Sequence, residues 1–204
     1  MTIEVTTEAE LAELVGEPMP RALRKERSRL DPLHEQWLAR SPLCFVATGG
    51  ADGSCDVSPK GDPPGFTMVL GPSRIALPDR PGNRRLDGFR NVLANPHVGL
   101  IYLVPGRGDT LRINGRARLV RDAPYFDRLV VGRHRPRLAL EVEIEQVYFH
   151  CSKAFLRSQV WSPEQWDLEA LPSRAAIAQR FERPDDSLED LERYYGPQYS
   201  ETLY

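Results

Sequence analysis

The chain is poor in the residues that build covalent or metal frameworks. It has three cysteines in 204 residues, Cys44, Cys55 and Cys151, with no Cys-x-x-Cys spacing and an odd total. A disulfide scaffold and a zinc site are therefore excluded as organising principles. The four histidines, His34, His97, His134 and His150, show no ligand spacing, and no metal site is expected. Lysine is scarce, with only Lys25, Lys60 and Lys153, so arginine is the default cation and each lysine stands out. No apolar run approaches the roughly 20 residues of a membrane span. The N-terminal Met1–Glu8 lacks a charged n-region and an apolar h-region, so no signal peptide and a cytoplasmic location are expected. Nucleophile elbow, His-Glu-x-x-His, Walker and dinucleotide fingerprints are all missing. The net charge of -2 argues against a nucleic-acid partner or an anionic membrane, so any basic site is local.

What is present is proline, eighteen residues, and a hydrophobic fraction of 41%, which together suit a loop-rich globular domain. Residues 8–15 predict a short helix capped by Thr6/Thr7 and stopped by Gly16. Residues 21–29 read as a charged helix. Asp31-Pro32 opens a helix to Arg40 with Leu33, Trp37 and Leu38 on its inner face. The period then changes to strands: Leu43–Thr48, a Gly-rich hairpin at 49–53, Ser54–Val57, Phe66–Leu70 and Arg74–Leu77. A helix follows with Leu86, Phe89, Val92 and Leu93 on one face. Next come the most apolar strand, Val98–Val104, and the alternating strand Thr110–Val120 with a bulge or bend at Gly115. A short helix at 124–131, a long kinked strand at 138–149, and helices at 152–160, 163–166 and 174–181 complete the series. The acidic tail from Asp185 is expected to be loosely attached. Six or seven strands in hairpin order, with helices at both ends, predict a mainly β (α+β) fold. Antiparallel strands in that number favour a barrel over a flat sheet, because closure removes exposed edges.

The chemistry gathers at strand ends. The stretch Leu77–Asn91 leaves one strand, crosses a Pro/Gly loop carrying Arg80, Asn83, Arg84 and Arg85, and enters a helix. Guanidinium forks and loop N–H groups ahead of a helix suit a phosphate dianion; a solvated basic loop is the alternative. Ser58, Lys60 and Asp62 follow another strand. A fold that brings Lys60 to Arg84 and Arg85 makes an anion pocket that no protein acid fully neutralises. In the competing arrangement Lys60 pairs with Asp62, and the arginines pair with Asp79 and Asp87.

Residues 33–161 resemble the pyridoxamine 5'-phosphate oxidase-like, FMN-binding split-barrel family. The segments that carry the resemblance are Cys55-Asp-Val-Ser-Pro-Lys60, Ile75–Arg85, Asn95-Pro-His-Val-Gly-Leu-Ile-Tyr102, Thr110-Leu-Arg-Ile-Asn-Gly-Arg-Ala117 and Phe149–Trp161. The last is similar to the closing segment of an uncharacterised bacterial branch. The resemblance implies an antiparallel split β-barrel at 33–161, with a helical extension at 1–32 and a helical tail at 162–204. It also implies a homodimer with FMN at the subunit interface. On that pattern Val57, Ser58 and Lys60 run along the flavin, and Leu77 and Pro78 meet the ribityl chain. Arg84 and Arg85, with Arg80 and Asn83, hold the phosphate. Thr110 lies near the cofactor, and Arg157 and Trp161 come from the partner subunit. The substrate signature of the vitamin B6 oxidases is missing, Ser58-Pro59 replaces an apolar pair, and the phosphate loop carries an insertion. The resemblance thus implies FMN-dependent oxidoreduction of a small molecule without naming it. A deazaflavin (F420)-dependent reductase and a non-catalytic flavin- or haem-binding protein are the alternatives.

Overall fold

A computed structural model describes residues 1–204. The chain runs α1 (Glu8–Val15), α2 (Pro20–Leu23), α3 (Pro32–Leu38), β1 (Leu43–Gly49), β2 (Cys55–Gly61), β3 (Met68–Gly71), β4 (Arg74–Pro78) and α4 (Asp87–Ala94). It continues through β5 (His97–Leu103), β6 (Thr110–Val120), β7 (Ala139–His150), α5 (Lys153–Ser158), α6 (Arg174–Phe181) and α7 (Leu188–Tyr194), with short 3-10 turns between the later elements. The seven strands form one antiparallel sheet in the order β2-β1-β5-β6-β7-β4-β3. Its ladder does not close. β2 and β3 remain as free edges, which makes this a split barrel with flanking helices.

Alternation explains the core. β1 buries Cys44, Val46 and Thr48, and β6 buries Leu111, Ile113, Gly115 and Ala117. Cys44, Val46, Leu111, Ile113 and Ala117 join Leu77, Leu100, Tyr102, Val142 and Val147 in the main cluster, against which Trp37, Leu38 and Val92 pack from α3 and α4. The register of β6 on β7 slips between Asn114 and Gly115, leaving Glu145 as the extra residue. A Cβ at Gly115 would lie 2.0 Å from the Glu143 carbonyl oxygen, so the backbones approach too closely for any other residue there.

Several local expectations are corrected. The helix expected at 21–29 stops at Leu23, because Arg27 exchanges backbone hydrogen bonds with Val147 at 3.0 and 2.7 Å and is drawn onto β7. In α3 the inward residue is His34, not Leu33. Asp31 and His34 cap the helix start reciprocally, which turns Leu33 to solvent at 63% exposure. Leu86, the residue that caps α4, and Leu93 within it are likewise exposed, and Val92 carries the inner face. The segment at 124–131 is only a 3-10 turn, Phe126–Leu129. β2 continues through Ser58-Pro59-Lys60 to Gly61, since an edge strand tolerates a missing N–H on its solvent side. The acidic tail is also ordered: α6 and α7 form a hairpin around Ala175, Ala178 and Leu191.

Candidate functional site

Extending β2 to Gly61 decides where the site lies. Asp56, Ser58 and Lys60 fall on one face of the strand, and the loop after β4 folds over them. Between them is a cavity of about 500 Å³ lined by Asp56, Val57, Ser58, Pro59, Lys60, Gly61, Phe66, Pro78, Arg80, Pro81, Gly82, Asn83, Arg85 and Asp87. Its size falls within the ordinary range for small-molecule sites. Seven of the residues singled out in the sequence meet here: Val57, Ser58, Lys60, Pro78, Arg80, Asn83 and Arg85.

Lys60, Arg80 and Arg85 are each paired with a carboxylate, which corrects the expectation of an unneutralised pocket for all but Arg84. Relative to the competing arrangement, Lys60 and Arg80 have exchanged partners, while Arg85 pairs with Asp87 as that arrangement had it. Lys60 Nζ lies 3.3 Å from Asp79, not Asp62, and sits 4.8 Å over the Phe89 ring. Arg80 Nε lies 2.5 Å from Asp62, and its two Nη atoms donate to the carbonyls of Leu129 at 2.8 Å and His134 at 3.4 Å. Both pairs span the open seam of the barrel from the end of β2 to the end of β4. Arg80 therefore has its whole fork committed to the protein, with the Asp62 side chain only 1% exposed.

Arg85 differs. Its partner Asp87 is 2.5 Å away across a surface pair with side-chain exposures of 77% and 36%. Asp87, and more weakly Asp56, hold its guanidinium above the ordinary arginine range. Surface pairs of this kind contribute little to stability, so an incoming anion can redirect Arg85 cheaply. Asn83 shapes the loop by accepting from the Arg85 N–H at 3.0 Å, an Asx turn. Arg84 makes neither a side-chain hydrogen bond nor an ion pair and holds a left-handed backbone, φ 58°, that favours glycine. Arg84 is not itself in the cavity wall, but its neighbours Asn83 and Arg85 are, so uncommitted charge on a strained residue lies in the loop that lines the cavity.

The other residues lie elsewhere. Leu77 is 2% exposed and belongs to the core, so Pro78 alone of that pair reaches the cavity. Thr110 is buried at the start of β6, opposite His150. Trp161 donates from Nε1 to the Arg107 carbonyl at 2.7 Å and stacks on Phe155, and Arg157 is exposed on α5 nearby. Thr110, Arg157 and Trp161 are thus not part of the cavity wall within one chain. Sequence reasoning missed Asp56, gave Asp79 to the arginines and not to Lys60, and read Phe89 only as part of a helix face. Asp56 would have been found from the alternation Asp56, Ser58, Lys60 had β2 been carried past Pro59. It also lies close to α4, where a Cβ on Gly88 would approach its Oδ2 to 3.1 Å.

The fold and the cavity define a class first: antiparallel split barrels with a polar cleft between an edge strand and a basic loop. Within that class, residues 30–151 match the family model described as pyridoxamine 5'-phosphate oxidase, more than half of the chain. The chain belongs to that family. No curated protein matches it. Solved structures similar to it include HupZ of Group A Streptococcus, at 15% identity over 59% of this chain and 93% of that one, TM-score 0.47. An FMN-binding protein from Syntrophomonas wolfei subsp. wolfei matches at 12% identity over 57% and 87%, TM-score 0.44. An F420 reductase matches at 17% identity over 59% and 98%, TM-score 0.43.

Proposed function

We propose that this protein binds FMN in the cavity between β2 and the loop after β4, and acts as an FMN-dependent oxidoreductase on a small molecule. Residues 33–161 form the flavin-binding unit, with 1–32 and 162–204 as extensions. The observation that carries the reading is the cavity of about 500 Å³ with one cheaply released arginine, Arg85, in its wall, and one arginine without a protein partner, Arg84, beside it in the same loop. The residues present fit a phosphorylated, partly apolar ligand. Arg84 and Arg85 hold the phosphate, with Asn83 fixing the loop that presents them. Lys60, kept in place by Asp79 and Phe89, puts a positive charge along the cavity wall, and Val57, Ser58 and Pro78 supply contact surface. When bound, FMN supplies the electron or hydride chemistry, so the protein needs no nucleophile of its own. A second copy of the chain contributes Arg157 and Trp161, which are not in the cavity wall of their own chain, and Thr110 supports that contact from the start of β6.

The test is a titration of the purified protein with FMN and with riboflavin, followed by flavin fluorescence. Arg84→Ala with Arg85→Ala removes two charge-assisted contacts worth about 1.5–3 kcal/mol each, and weakens FMN by about a hundredfold or more. Riboflavin, which lacks the phosphate, is affected little. Equal affinity of the double variant for FMN would remove the two arginines from the site, and failure of the parent protein to take up flavin would refute the function. A Soret band, or selective uptake of deazaflavin, would favour the haem or F420 alternatives.

A further inference from the structure

Residues 197–204 return to the barrel seam in a way that neither the sheet nor the cofactor cavity requires. After the α6–α7 hairpin, with its own small core, a 3-10 turn at Pro197–Thr202 carries the chain back to Tyr204. The Tyr204 hydroxyl donates to Asp62 Oδ1. Its ring lies 5.6 Å from the His134 ring, and the Arg80 guanidinium sits 5.8 Å from its centroid. The other Asp62 oxygen, Oδ2, accepts from Arg80 Nε. A carboxylate whose side chain is 1% exposed thus has its two oxygens satisfied by two different segments.

We infer that Asp62, Arg80 and His134 form a docking site for the Tyr204 side chain, and that residues 197–204 act as a releasable latch on the barrel seam. The chemistry of the pocket matches a phenol. A buried carboxylate accepts its proton, a guanidinium lies over its face, and an imidazole packs beside it. Tyr204 is 38% exposed, and the hairpin before it holds together through Ala175, Ala178 and Leu191. The segment can therefore leave without unfolding itself or the barrel.

Release has a defined consequence. Asp62 Oδ1 loses its donor, and water from an adjoining cavity that Asp62 itself lines must replace it. Arg80 then loses one side of its packing. Arg80 lines the cavity of about 500 Å³ and also a second one of about 490 Å³ on the far side of the seam, which includes Glu35, Phe66, Met68 and Val131. The wall shared by the two cavities therefore loosens when the latch opens. The device rests on geometry alone, and its readout needs no cofactor.

Hydrogen exchange on the protein tests it, comparing the parent chain with Tyr204→Phe and Tyr204→Ala. Tyr204→Ala is expected to speed exchange in 79–83 and 129–134 by about tenfold or more, with the β5 and β6 core amides unchanged. Tyr204→Phe, which keeps the ring and loses the hydroxyl, gives a smaller acceleration in the same segments. Unchanged exchange in those segments in Tyr204→Ala overturns the latch, and so does an acceleration spread evenly over the whole sheet. Because the comparison is made without flavin, its failure leaves the FMN titration standing, and the reverse holds equally.

Discussion

Arg80 is the residue whose replacement separates holding the fold from holding a ligand. Arg80→Ala leaves the Asp62 carboxylate, 1% exposed, without its guanidinium, and removes the donors to the Leu129 and His134 carbonyls. Removing one partner of a buried ion pair costs about 3–5 kcal/mol. The Arg80 side chain is itself 13% exposed, so water reaches part of the gap and the lower end applies, about 3 kcal/mol. That is about two decades in the folded-to-unfolded ratio, a large share of the roughly 5–15 kcal/mol a domain has. Asp62→Ala is milder, because the arginine it leaves keeps two carbonyl acceptors and a path to solvent. The double variant removes the unpaired charge altogether. It is expected to cost less than the sum of the two by about 1.5 kcal/mol or more. Urea unfolding, followed by both tryptophan fluorescence and circular dichroism, measures all three. A cost below about 1 kcal/mol for Arg80→Ala, or strict additivity in the cycle, would refute the assignment of this pair to the seam. Among molecules that remain folded, Arg80→Ala should change FMN affinity less than the Arg84/Arg85 double variant, since its fork is already spent on protein atoms.

Two further expectations come from single buried groups. Burial pushes the Cys44 thiol far above the ordinary range, whereas Cys55 and Cys151 are exposed; a thiol reagent at mildly alkaline pH should titrate two groups in the native protein and three after denaturation. Burial lowers the His34 imidazole below its ordinary value of 6.5, and its Nδ1 accepts the Asp31 N–H at 3.0 Å, a role only the neutral ring can fill. The unfolded chain therefore binds a proton first as pH drops. The contribution of His34 is fully present above pH 6.5 and is lost progressively below it, so His34→Asn should flatten the acid side of a plot of unfolding midpoint against pH.

Where local rules and tertiary contacts agreed, the fold was legible in the amino-acid order. The Thr7 cap and Gly16 stop bound α1, the alternation from Thr110 to Val120 matches β6 residue for residue, and Gly115 marks the bulge. The reading failed where a distant partner overruled the local signal. Arg27 lies in a good helical run but pairs with Val147, 120 residues away. Ser58-Pro59-Lys60-Gly61 carries turn residues but lies along β1 as an edge strand. The tail's acidic surface hid a three-residue core of two alanines and one leucine, too little apolar character to show as a period. The site was legible as a set of residue types, and its pairing was not. Lys60 with Asp79 and Arg80 with Asp62 are separated by 19 and 18 residues and meet only because the barrel is open between them.

Pro59 gives the open edge of β2 a second meaning. A strand that shows unpaired backbone groups to solvent is a template on which another strand can grow, and this one also presents Val57 at 61% exposure. The missing N–H of Pro59 interrupts that template in the middle of the strand. Another copy approaching this edge cannot extend the sheet continuously across it, so contact on this side must be made by side chains packing together. The same proline that obscured β2 in the sequence keeps assembly here finite, and guards the chain against fibre growth from its longest unpaired edge.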